Sequence, residues 1–163
     1  MPLTCIFDMK RILVTGGSGF IGSAIVKKLR DAGNFVVPLS RKNDDDDAIC
    51  VDLSCRSAVF SVLSGRCFDA IFHLAASGVS PENEKDSSLL HLNAGGTQNL
   101  LDAIETLPVC PIVVAGSWTE YGKNSSGLLI ETDCCMPESQ YGIAKLASTH
   151  IARAWSIRTK RPL

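Results

Sequence analysis

Short runs of β-branched and apolar residues alternate along this chain with longer stretches whose apolar positions recur at helical spacing. Arg11-Ile12-Leu13-Val14-Thr15 has the first pattern and predicts a strand. Gly19 to Ala32 has the second, with Ile21, Ile25, Val26 and Leu29 on one side of a helix. Gly33 stands just past that helix end, and Asn34 to Leu39 predicts a second strand. A short third strand is expected over Ala48 to Val51, then a short helix from Arg56 to Ser64. Asp69 to Leu74 predicts a fourth strand, and the segment from about Asp86 to Leu107 a long helix that Pro108 ends. Ile112 to Gly116 is the fifth strand, and a last helix runs from about Pro137 to Ser156. Strands that alternate with helices are parallel and joined by crossovers, which places helices on both faces of the sheet. Strands covered on both faces read as continuously apolar, and these do. The pattern predicts an α/β fold with a doubly wound parallel sheet.

With 163 residues the chain is the size of one domain and can bury about two-thirds of the surface its unfolded form exposes. It needs neither metal nor disulfide for stability. The 16 Lys and Arg nearly balance the 17 Asp and Glu, which leaves no basic track for nucleic acid and no attraction to an acidic membrane. No apolar run approaches the roughly 20 residues that span a bilayer, and the start lacks a basic segment followed by an apolar one. A cytoplasmic protein is expected. Residues 1–9 stand apart from the pattern as an N-terminal extension, with the domain running from 10 to 163. Seven cysteines show no CxxC pair and no His at zinc-ligand spacing, so reduced cysteines serving as small core residues are expected and no metal site. The adjacent Cys134 and Cys135 read as incidental loop residues rather than a redox pair. Asp44 to Asp47 read as a solvated loop, since adjacent side chains do not converge on one cation.

Candidate chemistry gathers at strand ends. Thr15-Gly16-Gly17-Ser18-Gly19-Phe20-Ile21-Gly22 lies between the first strand and the first helix, where a dinucleotide fingerprint must lie. Its glycines permit a tight turn, close approach to a pyrophosphate and close packing of helix on strand. The helix N-terminus adds free N–H groups and a positive dipole end. At the end of the second strand Ser40-Arg41-Lys42 carries no acid to bond ribose hydroxyls, and a guanidinium there suits the 2′-phosphate of NADP more than NAD. Asp52-Leu53 after the third strand offers a carboxylate either to the adenine amino group or to the next helix as a cap. Leu74-Ala75-Ala76 after the fourth strand lets a cofactor lie close to the backbone. Tyr141 and Lys145, four apart on the last helix, share a face, and a cation beside a phenol favours phenolate. Ser117, just past the fifth strand, stands where its hydroxyl can orient a substrate oxygen against Tyr141.

These motifs, together with Asn93 to Leu101 and Gly116-Ser117-Trp118-Thr119-Glu120-Tyr121-Gly122, resemble in order the first half of an extended short-chain dehydrogenase/reductase. This is the NAD-dependent epimerase/dehydratase family, built on a Rossmann-like fold. The resemblance implies that Ser117, Tyr141 and Lys145 take the catalytic positions and that Asn93 opens the long central helix. It implies hydride transfer between nicotinamide and a sugar carbon of a nucleotide-sugar substrate, with Tyr141 moving the hydroxyl proton. Lys145 would hold the nicotinamide ribose and depress the Tyr141 pKa. Dehydratases of the family carry Asp-Glu directly after the catalytic Ser or Thr. Trp118 and Thr119 stand there instead, which favours a 4-epimerase or ketoreductase. The family continues past the Tyr/Lys helix with more sheet and a substrate-holding domain. The length here therefore implies a fragment, a natural truncation or a split protein, and the alternative reading is a non-enzymatic NAD(P)(H)-binding module or an inactive truncated homologue. A sheet that ends early also implies exposed apolar surface and association, such as a homodimer.

Overall fold

The computed structural model describes residues 9–41, 45–78, 88–123 and 127–163. Five strands form one sheet: β1 (Arg11–Thr15), β2 (Phe35–Ser40), β3 (Ile49–Cys50), β4 (Ala70–His73) and β5 (Ile112–Val114). Among the described residues four α-helices flank it: α1 (Phe20–Asp31), α2 (Arg56–Leu63), α3 (Gly96–Glu105) and α4 (Gln140–Thr159). The strand order is β3-β2-β1-β4-β5 and every pairing is parallel. β1 is central, with Leu13 opposite Val37 on one side and Ile71 on the other. The chain reverses its direction of travel across the sheet between β1 and β4, so the crevice at their carboxyl ends is the ligand-binding position of such a fold. The α/β, doubly wound, Rossmann-like architecture expected from the pattern is the one observed.

The two faces are covered unequally. Leu13, Val37, Leu39, Ile71 and Ile112 point to one face and pack with Val59 and Leu63 of α2, Leu100, Leu101 and Ile104 of α3, and Ala152 and Trp155 of α4. Each fully buried large side chain in this layer contributes about 1.5–3 kcal/mol. Ile12, Val14 and Val36 point to the other face, where α1 supplies Val26, Ile25 and Leu29. One helix does not reach the edge strand, so Val113 of β5 is half exposed. This departs from the expectation that every strand is buried on both faces. Ile21, expected on the same side of α1 as Ile25, Val26 and Leu29, is instead 60% exposed in the first turn, where the helix stands clear of the sheet.

Several boundaries move for local reasons. β3 spans two residues. α4 starts at Gln140 because Ser139 caps it, its Oγ accepting from the Gly142 N–H at 3.0 Å. It runs on to Thr159, beyond the expected Ser156, and ends at Lys160 in the left-handed region. α3 ends at Glu105, three residues before Pro108, as Leu107 closes a tighter turn onto Ile104 O at 3.0 Å. The start of the long helix at Asp86 lies outside the described residues. From His91 to Gly95 the backbone makes a π turn that leads into α3. The segments 1–8 and 42–44, with Lys42 and Asp44, also lie outside. Asp45 grips Arg30 through two hydrogen bonds of 2.6 and 2.9 Å. Most cysteines are not core residues as expected: among the described residues only Cys110 is buried, the others sitting at a strand edge, a helix start and in loops.

Candidate functional site

The glycine-rich turn is dictated by crowding. Gly16 has φ +70°, and a Cβ there would lie 2.8 Å from the backbone of Ala75. At Gly22 a Cβ would come within 2.0 Å of Gly16 O. Gly16 N–H donates to Leu39 O at 2.8 Å, and Gly19 N–H to Gly16 O at 2.9 Å. The turn therefore lies flat between the ends of β2 and β4. Beyond it α1 has Gly19 at its N-cap, with no side-chain cap and no acid in its first turn, which leaves its first N–H groups and positive dipole end for an anion.

A cavity of about 240 Å³ opens over this turn. Gly16, Gly19, Arg41, Asp52, Leu53, Leu74, Ala75, Ala76 and Asn93 all line it, so most of the cofactor residues expected from the sequence meet in one cleft. Phe20, Ile21 and Gly22 do not line it. Phe20 is 96% exposed, and Gly22 is taken up by packing on Gly16. Asp52 is not the cap of α2, whose N-cap is Cys55. Its Oδ1 accepts from the Ser54 N–H at 2.9 Å, and that bond chiefly holds its carboxyl below the usual carboxylate range. Asn93, turned inward by the π turn, grips the Ser77 backbone on both sides: Oδ1 accepts from Ser77 N–H at 2.7 Å and Nδ2 donates to Ser77 O at 2.9 Å. Its amide shapes the cleft wall.

Beneath the cleft runs a buried chain of hydrogen bonds that sequence reading passed over. The Thr97 hydroxyl gives its one proton to Asn93 O at 2.8 Å, so His73 Nε2 must donate to Thr97 Oγ1 across 2.9 Å. Nδ1 then accepts from Thr15 Oγ1 at 2.7 Å, and that oxygen accepts from the Ala75 N–H at 3.2 Å. The imidazole is neutral: burial, helped by the Lys145 cation, pushes its pKa down to about 3. One ring thus ties β1, β4 and the start of α3 together under the glycine turn.

The second group stands at the carboxyl end of β5. Ser117 caps a single 3-10 turn (Trp118–Glu120); its Oγ lies 2.8 Å from Thr119 Oγ1 and accepts from the Thr119 N–H at 3.3 Å. Tyr141, at the start of α4, reaches the Ser117 side chain, which favours its phenolate. Burial outweighs this, with the Glu120 carboxylate adding to it, and the phenol sits above its ordinary value. Lys145 Nζ donates to Ala115 O at 2.6 Å. Its burial pulls the ammonium pKa down, while Glu120 opposes the shift. The expected depression of Tyr141 by Lys145 is therefore not what the structure shows, because the ammonium is turned to the Ala115 carbonyl and burial governs the phenol. Glu120 was overlooked, although Ser117-x-x-Glu120 is a readable capping box.

A glycine turn between strand and helix, a cleft at the switch point and a Ser/Tyr/Lys group at the next strand end define a dinucleotide-binding domain of the short-chain dehydrogenase/reductase kind. The chain belongs to the NAD dependent epimerase/dehydratase family, which it matches over residues 12–160. It is 36% identical over 149 residues to a UDP-glucose 4-epimerase of Lacticaseibacillus casei, covering 86% of this chain and 45% of that protein. To a GDP-6-deoxy-D-talose 4-dehydrogenase of Aggregatibacter actinomycetemcomitans it is 35% identical over 147 residues, covering 89% and 48%. Among solved structures, MoeE5 in complex with UDP-glucuronic acid and NAD superposes with TM-score 0.80 at 35% identity, over 93% of this chain and 51% of that one. The UDP-glucose 4-epimerase from Brucella ovis in complex with NAD gives 0.82 at 26% identity, over 93% and 49%. The chain spans about half the length of these relatives. Among the described residues no helix is long and apolar enough to cross a membrane, and no cluster of His, Cys, Asp and Glu fits a metal.

Proposed function

We propose that this chain is the cofactor-binding and proton-transferring half of an NAD(P)-dependent nucleotide-sugar 4-epimerase or ketoreductase. The observation that carries the reading is the placement of Ser117 just past β5 and of Lys145 against Ala115 O, with Tyr141 one turn earlier on α4, at the same carboxyl edge of the sheet as the dinucleotide cleft. The uncapped start of α1 and the glycine turn take the pyrophosphate. Asp52 accepts from the adenine amino group, and Leu53, Leu74, Ala75 and Ala76 let the adenosine lie against the backbone. A bound dinucleotide supplies reversible hydride acceptance. Ser117 holds the reacting sugar oxygen, Tyr141 takes and returns its proton, and Lys145, with N–H donors beyond the one given to Ala115, holds the neighbouring ribose. With Trp118 and Thr119 after Ser117 there is no second acid pair for dehydration.

The solved relatives described above hold NAD, whereas the preference of this chain for NADP(H) rests on Arg41, which lines the cleft at the end of β2 where no acid stands. Fluorescence titration of the purified chain should show NADPH binding about tenfold tighter than NADH. Arg41→Ala should weaken NADPH by about the same factor and leave NADH within about twofold. Tighter NADH binding reverses the assignment of cofactor. Failure to bind either sinks the dinucleotide reading.

A further inference from the structure

Glu120 is buried, 6% exposed, in the turn that carries Ser117, and its two oxygens are held from two different elements. Oε1 accepts from the Ser117 N–H at 2.7 Å. Oε2 accepts from Thr149 Oγ1 at 2.9 Å. Thr149 lies four residues beyond Lys145 and eight beyond Tyr141, so all three share one face of α4. Gly116 leaves the space: a Cβ there would sit 3.1 Å from Glu120 Oε1. A capping role alone would be met by any acceptor at the turn and needs no anion in the interior, where an unpaired charge is costly.

Three titratable groups sense the charge of this carboxylate. They are Tyr141 and Lys145 of α4 and Tyr121 of its own turn; neutral His73 of β4 lies beyond Lys145. We propose that Glu120 is a positioning residue, a buried counter-charge that splints the Ser117 turn to the Tyr141/Lys145 face of α4 and sets the charge balance between the phenol and the ammonium. The inference rests on the reading of Ser117, Tyr141 and Lys145 given above. A negative charge at this point favours the ammonium form of the buried Lys145 and the neutral phenol of Tyr141, the form the phenol regains once it has taken the sugar proton.

The chain has two tyrosines, so in a Tyr121→Phe background the alkaline rise in phenol absorbance reports Tyr141 alone. Glu120→Gln keeps the size and one acceptor but removes the charge, and should lower the Tyr141 midpoint by about one pH unit. Glu120→Asp keeps the charge and should leave the midpoint within a few tenths of the parent value; it decides the matter should the Gln variant fail to fold. Circular dichroism at each pH confirms that the chain is folded. An unchanged midpoint in Gln, a phenol that stays protonated up to alkaline unfolding in both proteins, or an Asp variant that falls by about one unit, overturns the proposal. NADPH titration of the same variants is a separate readout: lost binding in the parent chain counts against the dinucleotide reading, not against Glu120.

Discussion

His73 shows how much one side chain can determine without touching a ligand. Its ring is held between two threonine hydroxyls with one tautomer permitted, and it stays neutral to about pH 3. In the unfolded chain it takes up a proton near pH 6.5. Between these values the unfolded state binds more protons, so stability is fully present above pH 6.5 and is lost as pH falls toward 3, at up to ~1.4 kcal/mol per pH unit. Asp45, Asp52 and Glu105, held below the usual carboxylate range, lose stability in the same direction but mainly below about pH 4. Urea unfolding at pH 6.5 and 4.5 should therefore show a drop about 2 kcal/mol larger in the parent chain than in His73→Gln. Equal drops would mean that the ring is not desolvated. Gly16 and Gly22 were legible in the sequence because only glycine fits where backbones meet. His73 was legible only as a position in the fourth strand, because its partners Thr15 and Thr97 are distant in the chain and polar residues in a strand and a helix give no sign of facing each other.

At the scale of elements, apolar period and punctuation located every strand and, apart from the start of the long helix, every α-helix within a few residues. What they missed was how elements end: Ser139 rather than Pro137 starts α4, and the long helix carries a π turn. The π turn is invisible to a period of 3.6 because its extra residue looks like noise in the pattern. Yet it aims Asn93 inward and fixes the loop after β4 through two bonds to Ser77. Replacing the amide leaves a backbone N–H and C=O of the cleft wall unpaired. Asn93→Ala should cost about 2–3 kcal/mol of stability by urea unfolding. It should also weaken NADPH binding, by fluorescence, although Asn93 itself need not touch the cofactor. A variant as stable as the parent with unchanged affinity would show the clamp to be dispensable.

For the whole molecule, the cleft exists only when the chain is folded. Its walls come from the β1–α1 turn, the end of β2, the segment after β3, the segment after β4 and the π turn, which together span most of the first hundred residues. None of these pieces holds the cleft shape alone. A dinucleotide must then bind the native state and not the unfolded one, and stabilise it by about 2.7 kcal/mol at a hundred times its Kd. For a domain of this size each kcal/mol raises the melting temperature by about 2–4 °C, so saturating NADPH should raise it by roughly 5–10 °C. In the proposed pose the lining residues meet the adenosine and pyrophosphate, so adenosine 2′,5′-bisphosphate should deliver much of that shift and nicotinamide mononucleotide little. Arg41→Ala should remove the advantage of the 2′-phosphorylated probe over ADP. Thermal unfolding with these probes thus separates a cleft that reads the 2′-phosphate from one that merely accepts any nucleotide. No shift with any of them would mean that the cleft does not hold a nucleotide at all.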